Sequence, residues 1–317
     1  MRLGICIGTF RRRELLRQLL VGVSELTFQK MPAPDISVIV VDNESSRTAE
    51  EICGSVKLPW PIKYVVESQR GIAHVRNRAM LEAGNVDFIA FIDDDEVPTP
   101  LWLDELLWTQ AEFAADVVSG PVLPAFTPDV PKWIRTGGLF RRPIFPVGYL
   151  MERCSTNNVL IRNEVFSRIP SFDQKFELTG ADDTHFFLRV RQAGYRIIWS
   201  REAVVNEVIS TQRANVGWIL RRAYREGNGW VLCELSLDKR ISTRTRRFLK
   251  AFARIFQGIA CCLVSLFVGR AAIVRALSRV FLGVGMLVGL VGHKYQAYRT
   301  AGTDIVYPPP KGIAGQP

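Results

Sequence analysis

The residues best placed to do chemistry are Asp93-Asp94-Asp95-Glu96, which follow directly on the apolar run Phe88-Ile-Ala-Phe-Ile92. A short apolar run closed by turn residues, here Val97-Pro98-Thr99-Pro100, reads as a buried strand. Carboxylates delivered at the end of such a strand are costly to desolvate unless something neutralises them. In open α/β sheets, ligands bind beyond the carboxyl ends of the strands. A divalent cation carrying a phosphorylated ligand is the natural neutraliser, and hard oxygen donors suit Mg2+ or Mn2+. The Asp93-x-Asp95 spacing lets two carboxylates reach one side of a site and turns Asp94 away. A solvated turn or a helix cap accounts readily for one aspartate here, but not for three.

Other candidates stand at the ends of neighbouring runs. Asp42-Asn43 closes the apolar residues 36–41; a carboxylate there can accept from a nucleotide base or from ribose hydroxyls, with an Asx turn as the plainer use. Thr9 to Arg13, Arg11 among them, ends the first run; Arg70 stands just before the helical stretch 72–83 and Arg76-Asn77 within it. Arginines in these places can pair with phosphates, or can simply solvate a helix start. Asp182-Asp183 precede another helical stretch, where they can cap it or supply a general base facing a cleft. His185 could be a ligand or base, although a lone histidine is more often structural. Gly283, Gly285 and Gly289 have the wrong spacing for a dinucleotide loop, and small residues in an apolar run fit close helix packing better.

These residues need a scaffold that brings them to one edge. Apolar runs at 3–8, 36–41, 62–66 and 86–92 read as strands, and 14–23 and 72–83 have helical spacing. That alternation predicts an α/β fold with a mostly parallel sheet flanked by helices. Further on, the patterning predicts a helix over 101–113, a broken strand over 117–124, strands over 157–162 and 195–200, and a helix over 184–192. Residues 124–150, rich in Pro, Gly and aromatics, read as a loop region near the site. A basic helix over 213–226 is expected to be capped by Gly227-Asn228-Gly229. No internal repeat is present.

With 317 residues and 48% apolar content the chain can bury a sizeable core, which excludes a disordered protein. The net charge is +10, yet residues 239–299 hold 12 Lys/Arg and no Asp/Glu, leaving the remainder at 10 − 12 = −2. A basic excess confined to one segment argues against nucleic acid as a partner. The six cysteines form no C-x-x-C pair and read as reduced, mostly buried thiols of a cytosolic protein. Residues 1–8 read as a strand rather than a signal peptide. Two apolar stretches, 248–269 and 280–292, have Arg270, Arg275 and Arg279 between them. They suggest a membrane hairpin or two short spans, with the basic run 239–254 on anionic lipid headgroups; a soluble amphipathic helical domain is the alternative. The expected division is a catalytic domain over 1–235, a basic, apolar helical membrane-association region over 236–300, and a disordered tail over 301–317.

The order of parts resembles the family 2 inverting glycosyltransferases of GT-A fold, in particular bacterial enzymes that build exopolysaccharides and cell-surface glycans. The matching pieces are Ile5-Cys-Ile-Gly-Thr-Phe-Arg11, Val40-Val-Asp-Asn43, Gly71-Ile-Ala-His-Val-Arg-Asn77, Phe91-Ile-Asp-Asp-Asp-Glu96, Ser155-Thr-Asn-Asn-Val159, Gly180-Ala-Asp-Asp-Thr-His-Phe186 and residues 213–228. The resemblance implies a nucleotide-sugar donor, most simply a UDP-sugar, and a glycan or lipid-linked saccharide acceptor. It implies donor contacts from Thr9, Arg11, Asp42, Asn43, Arg70, Arg76, Asn77, Asp93 and Asp94, and Mg2+ or Mn2+ on Asp95 and Asp93. Asp183 would be the general base, with Asp182 standing where the family often has Glu. Place and setting would be the cytoplasmic face of a bacterial inner membrane, in surface polysaccharide or glycolipid synthesis. The chain departs from the family pattern at His185, often acidic, and in lacking a histidine near residues 206–209, where Glu207 is a substitute ligand. The Q-x-x-R-W signature of processive synthases is missing, which points to single addition. The competing readings are a nucleotidyltransferase, which would want a Gly-rich phosphate loop after the first strand, and a catalytically inactive scaffold at the membrane that binds nucleotide sugars.

Overall fold

The computed structural model describes residues 1–177 and 179–296; the expected tail over 301–317 lies outside them. The first half alternates strand and helix: β1 (Arg2–Thr9), α1 (Arg13–Ser24), β2 (Asp35–Asp42), α2 (Glu50–Ser55), β3 (Ile62–Val66), α3 (Ile72–Ala83) and β4 (Phe88–Asp93). Next come β5 (Glu96–Pro98), α4 (Trp102–Phe113), β6 (Val117–Ser119), β7 (Val122–Phe126), α5 (Lys132–Thr136), β8 (Asn158–Arg162) and α6 (Glu164–Arg168). The chain then runs through α7 (Asp182–Gln192), β9 (Ile197–Trp199), β10 (Val205–Ile209), α8 (Val216–Leu237), α9 (Ile241–Ser265) and α10 (Arg270–Leu290).

The main sheet has the order β3-β2-β1-β4-β8-β6-β9. Its first four strands are mutually parallel, and β8 enters antiparallel beside β4. One apolar layer packs α1 and α4 on one face, with Leu16, Leu19, Trp102 and Leu106 fully buried. A second packs α3 and α7 on the other, around Val75, Phe172 and Phe186. Central strands covered on both faces read as continuous apolar runs, which is why 3–8, 36–41 and 88–92 were so legible. Register does the functional work. Thr9 pairs with Asp42 and Gly8 with Asp93, so the ends of β1, β2 and β4 stand in one row.

A second sheet, β5-β10-β7, caps that row. Val97 and Pro98, part of the 97–100 stretch read in sequence as a strand break, form β5 with Glu96, which stands opposite Glu207 across the antiparallel β5–β10 pair. Asn158 ties the two sheets together. It is fully buried, donates to the carbonyls of Pro121 (3.0 Å) and Ala203 (2.8 Å), and accepts from Trp102 Nε1 at 2.8 Å. The expected loop over 124–150 carries the short α5 and a single bridge from Leu150 to Ile198. All six cysteines are free thiols, and Cys6, Cys53 and Cys233 are buried.

The expected stop at Gly227-Asn228-Gly229 does not occur, and α8 continues to Leu237. These residues are small for a packing reason. A Cβ on Gly227 would lie 2.1 Å from the Leu282 carbonyl of α10, and one on Gly285 would lie 2.0 Å from the Tyr224 carbonyl of α8. Asn228 fills the seam between them, donating to the His293 carbonyl (2.9 Å) and accepting from the Tyr295 amide (3.0 Å). Gly285→Ala therefore inserts a methyl into backbone and should destabilise by about 1–3 kcal/mol despite alanine's better helix propensity. Gly54→Ala, with nothing within 4 Å of the added carbon, should be neutral or slightly stabilising. Equal denaturant midpoints for the two variants would remove the seam as a source of stability.

Candidate functional site

The row of strand ends opens into a cleft of about 1330 Å³ between the sheet edge, α7 and the C-terminal helices. Single small-ligand sites run to roughly 300–1,000 Å³, so there is room for a donor and an acceptor together. At its floor the acidic run fans out. Asp94 turns back to β1, accepting from Thr9 Oγ1 (2.8 Å) and from Arg12 (2.8 Å). Asp95 accepts from Arg12 at 3.2 Å and from Arg213. Asp93 keeps its side chain 42% open to the cleft, with Arg76 at 3.9 Å. Glu96 is buried, accepting from Asn157 Nδ2 (2.9 Å) and from the Asp93 amide (3.2 Å).

The electrostatics follow from these partners. Burial would raise Asp95, but Arg213 and Arg12 together outweigh it and hold the carboxyl below its usual range. Burial raises Asp94, with Arg12 and the Thr9 hydroxyl opposing. The depth of the cleft raises Asp93, opposed by Arg76 and reinforced by Asp95, Asp94 and Asp183. Glu96 goes well above the carboxylate range because it is buried and faces Asp93, Asp95 and Glu207. Glu207 is itself held by Arg142 (2.7 Å) and Arg213 (3.0 Å).

The second acidic pair comes from the start of α7. Asp182 is buried, and its Oδ2 accepts from Arg76 at 2.5 Å. Its Oδ1 is buried with no hydrogen-bond partner among the described residues. Asp183 is half-buried and lines the cleft, with Oδ1 accepting from the Thr184 amide at 2.5 Å. Burial raises its pKa, opposed by Arg76 and reinforced by Asp182. Arg76 thus stands between the two clusters, anchored on Asp182 and facing Asp93. His185 is turned away, stacked on Phe176 at 4.5 Å and lowered in pKa by burial, so it is not part of the site.

Ten of the sequence candidates share this cleft: Thr9, Arg11, Asn43, Arg70, Arg76, Asp93, Asp94, Asp95, Asp182 and Asp183. Arg11 and Arg70 both lie over the Phe10 ring, at 5.2 and 4.9 Å from its centroid. Asp42 and Asn77 do not line it. Asp42 is fully buried and spends its oxygens on the amides of Glu44 and Ala49 and on the Tyr64 hydroxyl, which fixes the loop after β2. Asn77 clasps the backbone of Phe172 in both directions, at 3.0 and 2.8 Å. Asn43 lines the cleft but also braces it, bonding the carbonyls of Glu67 and Gln69 and the Gly71 amide. The strand-end reasoning missed Arg142, Asn157 and Arg213 as partners of the carboxylates; Arg12, within the 9–13 stretch read for phosphate contact, holds Asp94 instead.

Among the described residues no three His, Cys, Asp or Glu side chains converge as a ready metal cage. Two hard carboxylates, Asp93 and Asp95, nonetheless fit the way Mg2+ is commonly held, by one or two carboxylates with substrate phosphates completing the shell. Glu207, a substitute ligand by sequence, is paired with Arg142 and Arg213, as Asp95 is with Arg12 and Arg213.

Comparison with known proteins gives the family and the fold. The model of the family described as Glycosyl transferase family 2 matches residues 4–170, and that of Glycosyl transferase family group 2 matches residues 88–292. The chain is 30% identical over 301 residues to the succinoglycan biosynthesis protein ExoM of Rhizobium meliloti, covering 92% of this chain and 93% of the relative. It is 24% identical over 240 residues to a glucosyl-dolichyl phosphate glucuronosyltransferase of Haloferax volcanii, covering 70% and 74%. Among solved structures, the mannosyltransferase PcManGT of Pyrobaculum calidifontis, in complex with GDP-Man and Mn2+, superposes with a TM-score of 0.62 at 17% identity, covering 91% and 86%. S. aureus TarS residues 1–349 with UDP superposes at 0.50 and 12% identity, covering 92% of each chain. Two carboxylate clusters bridged by one arginine at the edge of a mostly parallel sheet thus sit in a chain that belongs to glycosyl transferase family 2 and has the GT-A fold.

Proposed function

We propose that the protein transfers one sugar from a nucleotide-diphosphate sugar, with UDP as the nucleotide, to a lipid-linked glycan acceptor. Transfer is metal-dependent, inverts the anomeric centre, and serves surface polysaccharide or glycolipid synthesis at the cytoplasmic face of a bacterial inner membrane. The observation that carries this reading is the shared cleft: Asp183 opens into the same space as Asp93 and Asp95, with Arg76 braced between them. Support for the setting comes from the polysaccharide relative, from the dolichyl-phosphate relative and from the UDP-bound structural neighbour.

Each residue then has a role. Arg11 and Arg70, both over Phe10, meet the nucleotide moiety, and Thr9 with Arg12 keeps Asp94 fixed beneath it. A divalent cation on Asp95 and Asp93 would offset the charge growing on the leaving diphosphate. The acceptor hydroxyl oxygen bonds to the anomeric carbon as the bond to the diphosphate breaks on the opposite face. The bonding pair leaves with the diphosphate, and the hydroxyl proton passes to Asp183. Asp182 is committed to Arg76, so it positions that arginine and does not take the proton. The missing Q-x-x-R-W signature supports single addition.

Asp183→Asn should lower transfer by roughly 10²–10⁴-fold, the usual worth of a general base, while Mn2+-dependent UDP binding survives. Turnover retained in that variant would remove Asp183 from the mechanism; a wild-type protein that never turns over any donor would favour the scaffold. Asp95→Asn should weaken Mn2+-dependent UDP binding roughly 10–100-fold in titration calorimetry, and unchanged binding with and without Mn2+ would sink the metal assignment. The base works deprotonated and its pKa is raised, so activity should fall as pH drops through values above the ordinary aspartate range. An acid limb of kcat/KM lying at or below the ordinary aspartate value would contradict Asp183 as base.

A further inference from the structure

The arginines around the carboxylates are paired, and so are Arg222 and Arg247 on the helical wall, with Glu226 and Glu234; three other cations of that wall have no carboxylate partner among the described residues. Arg12, Arg76, Arg142 and Arg213 each hold Asp or Glu. Arg225 of α8 and Lys250 and Arg254 of α9 line the same cleft with no carboxylate partner among the described residues. Arg254 reaches only Gln257, at 3.3 Å. Lys250 and Arg254 are one turn apart on α9, and like charges at that spacing repel, so a multivalent anion in the cleft would relieve them.

The opposite side of α9 says where such an anion comes from. Leu249, Phe256, Ile259 and Leu263, spaced to fall on one face, are 51–67% exposed, and Phe267 beyond the helix end is 93% exposed. A third face, with Ala251 and Gly258, packs on α10. The helix is thus basic toward the cleft and apolar outward, the pattern of a helix lying in a membrane interface. By length and composition α9 and α10 could each also cross a membrane, yet their uncharged stretches are short. Past Arg254 only 15 uncharged residues remain before Arg270, and past Arg279 only 14 before Lys294, against the roughly 20 that a span needs. α10 is moreover locked into α8 at Gly227 and Gly285, and Arg275 donates to the Gly137 carbonyl, so it cannot leave the catalytic body.

Resting on the transferase reading above, we infer that Arg225, Lys250 and Arg254 bind the phosphate of a lipid-linked acceptor where the outer face of α9 lies on an anionic bilayer. The acceptor's hydrocarbon remains in the leaflet, its phosphate meets the three cations, and its sugar enters the cleft toward Asp183.

The test uses the full chain and three probes. These are phosphatidylcholine vesicles carrying a polyprenyl diphosphate, phosphatidylcholine vesicles brought to the same surface charge with phosphatidylglycerol, and soluble inorganic pyrophosphate. The wild type should prefer the polyprenyl diphosphate vesicles by roughly tenfold in flotation, and Lys250→Ala with Arg254→Ala should abolish that preference while melting with the wild type. Phe256→Ser with Leu263→Ser should detach the protein from both vesicle types. Equal retention on the two vesicle types, a preference that survives loss of the two cations, or pyrophosphate bound as tightly as the vesicles would each overturn the site. UDP–Mn2+ binding measured without vesicles reports separately on the transferase reading. Its failure beside selective flotation would remove that reading alone, and its success beside unselective flotation would remove only the lipid-phosphate site.

Discussion

Seven carboxylates crowd the cleft floor: Asp93, Asp94, Asp95, Glu96, Asp182, Asp183 and Glu207. Their mutual repulsion in a partly dry setting is the constraint that orders the molecule. Four arginines answer it, each from a different part of the chain: Arg12 before α1, Arg76 on α3, Arg142 in the loop after α5 and Arg213 before α8. A buried charge pair adds little net stability, but removing one partner costs about 3–5 kcal/mol. The network therefore acts less as glue than as a condition on how these elements assemble. Glu96 shows a second solution, since burial among three acids favours its neutral form.

The same arrangement bears on binding. Asp95 is held by two guanidinium groups that a cation would replace or join. Asp93, open to the cleft and weakly matched to Arg76, is the less committed of the two. The two aspartates thus differ in how firmly each is held although they are only two residues apart. Asp182 and Asp183 divide in the same way: the buried one orients an arginine and the half-buried one faces the cleft.

What could be read in advance was local. The strands at 3–8, 36–41 and 62–66 and the helix over 72–83 carry their own periodicity, and the acidic run announces itself by following β4 directly. What could not be read was relational. Arg213 meets Asp95 from 118 residues away, and Arg12 meets Asp94 from 82. Asp42 and Asn77 have the right chemistry for ligand contact, yet backbone amides and carbonyls consume it, and no residue pattern distinguishes an aspartate that binds from one that braces. Gly227-Asn228-Gly229 looked like a stop because small residues mark both helix ends and close approaches. Only the presence of α10 decides between them.

That close approach has a mechanical consequence. α8 carries Trp218, Arg222 and Arg225 on the cleft side and meets α10 backbone to backbone through its glycines. At that crossing backbone meets backbone, and Val231, Leu235 and Met286 pack beside it, so this wall of the cleft and α10 are held as one piece. On the proposed reading, with α9 on a membrane, this seam would carry the cleft wall at a fixed height above the bilayer, and acceptors would be sorted by how far the reacting hydroxyl stands from that plane.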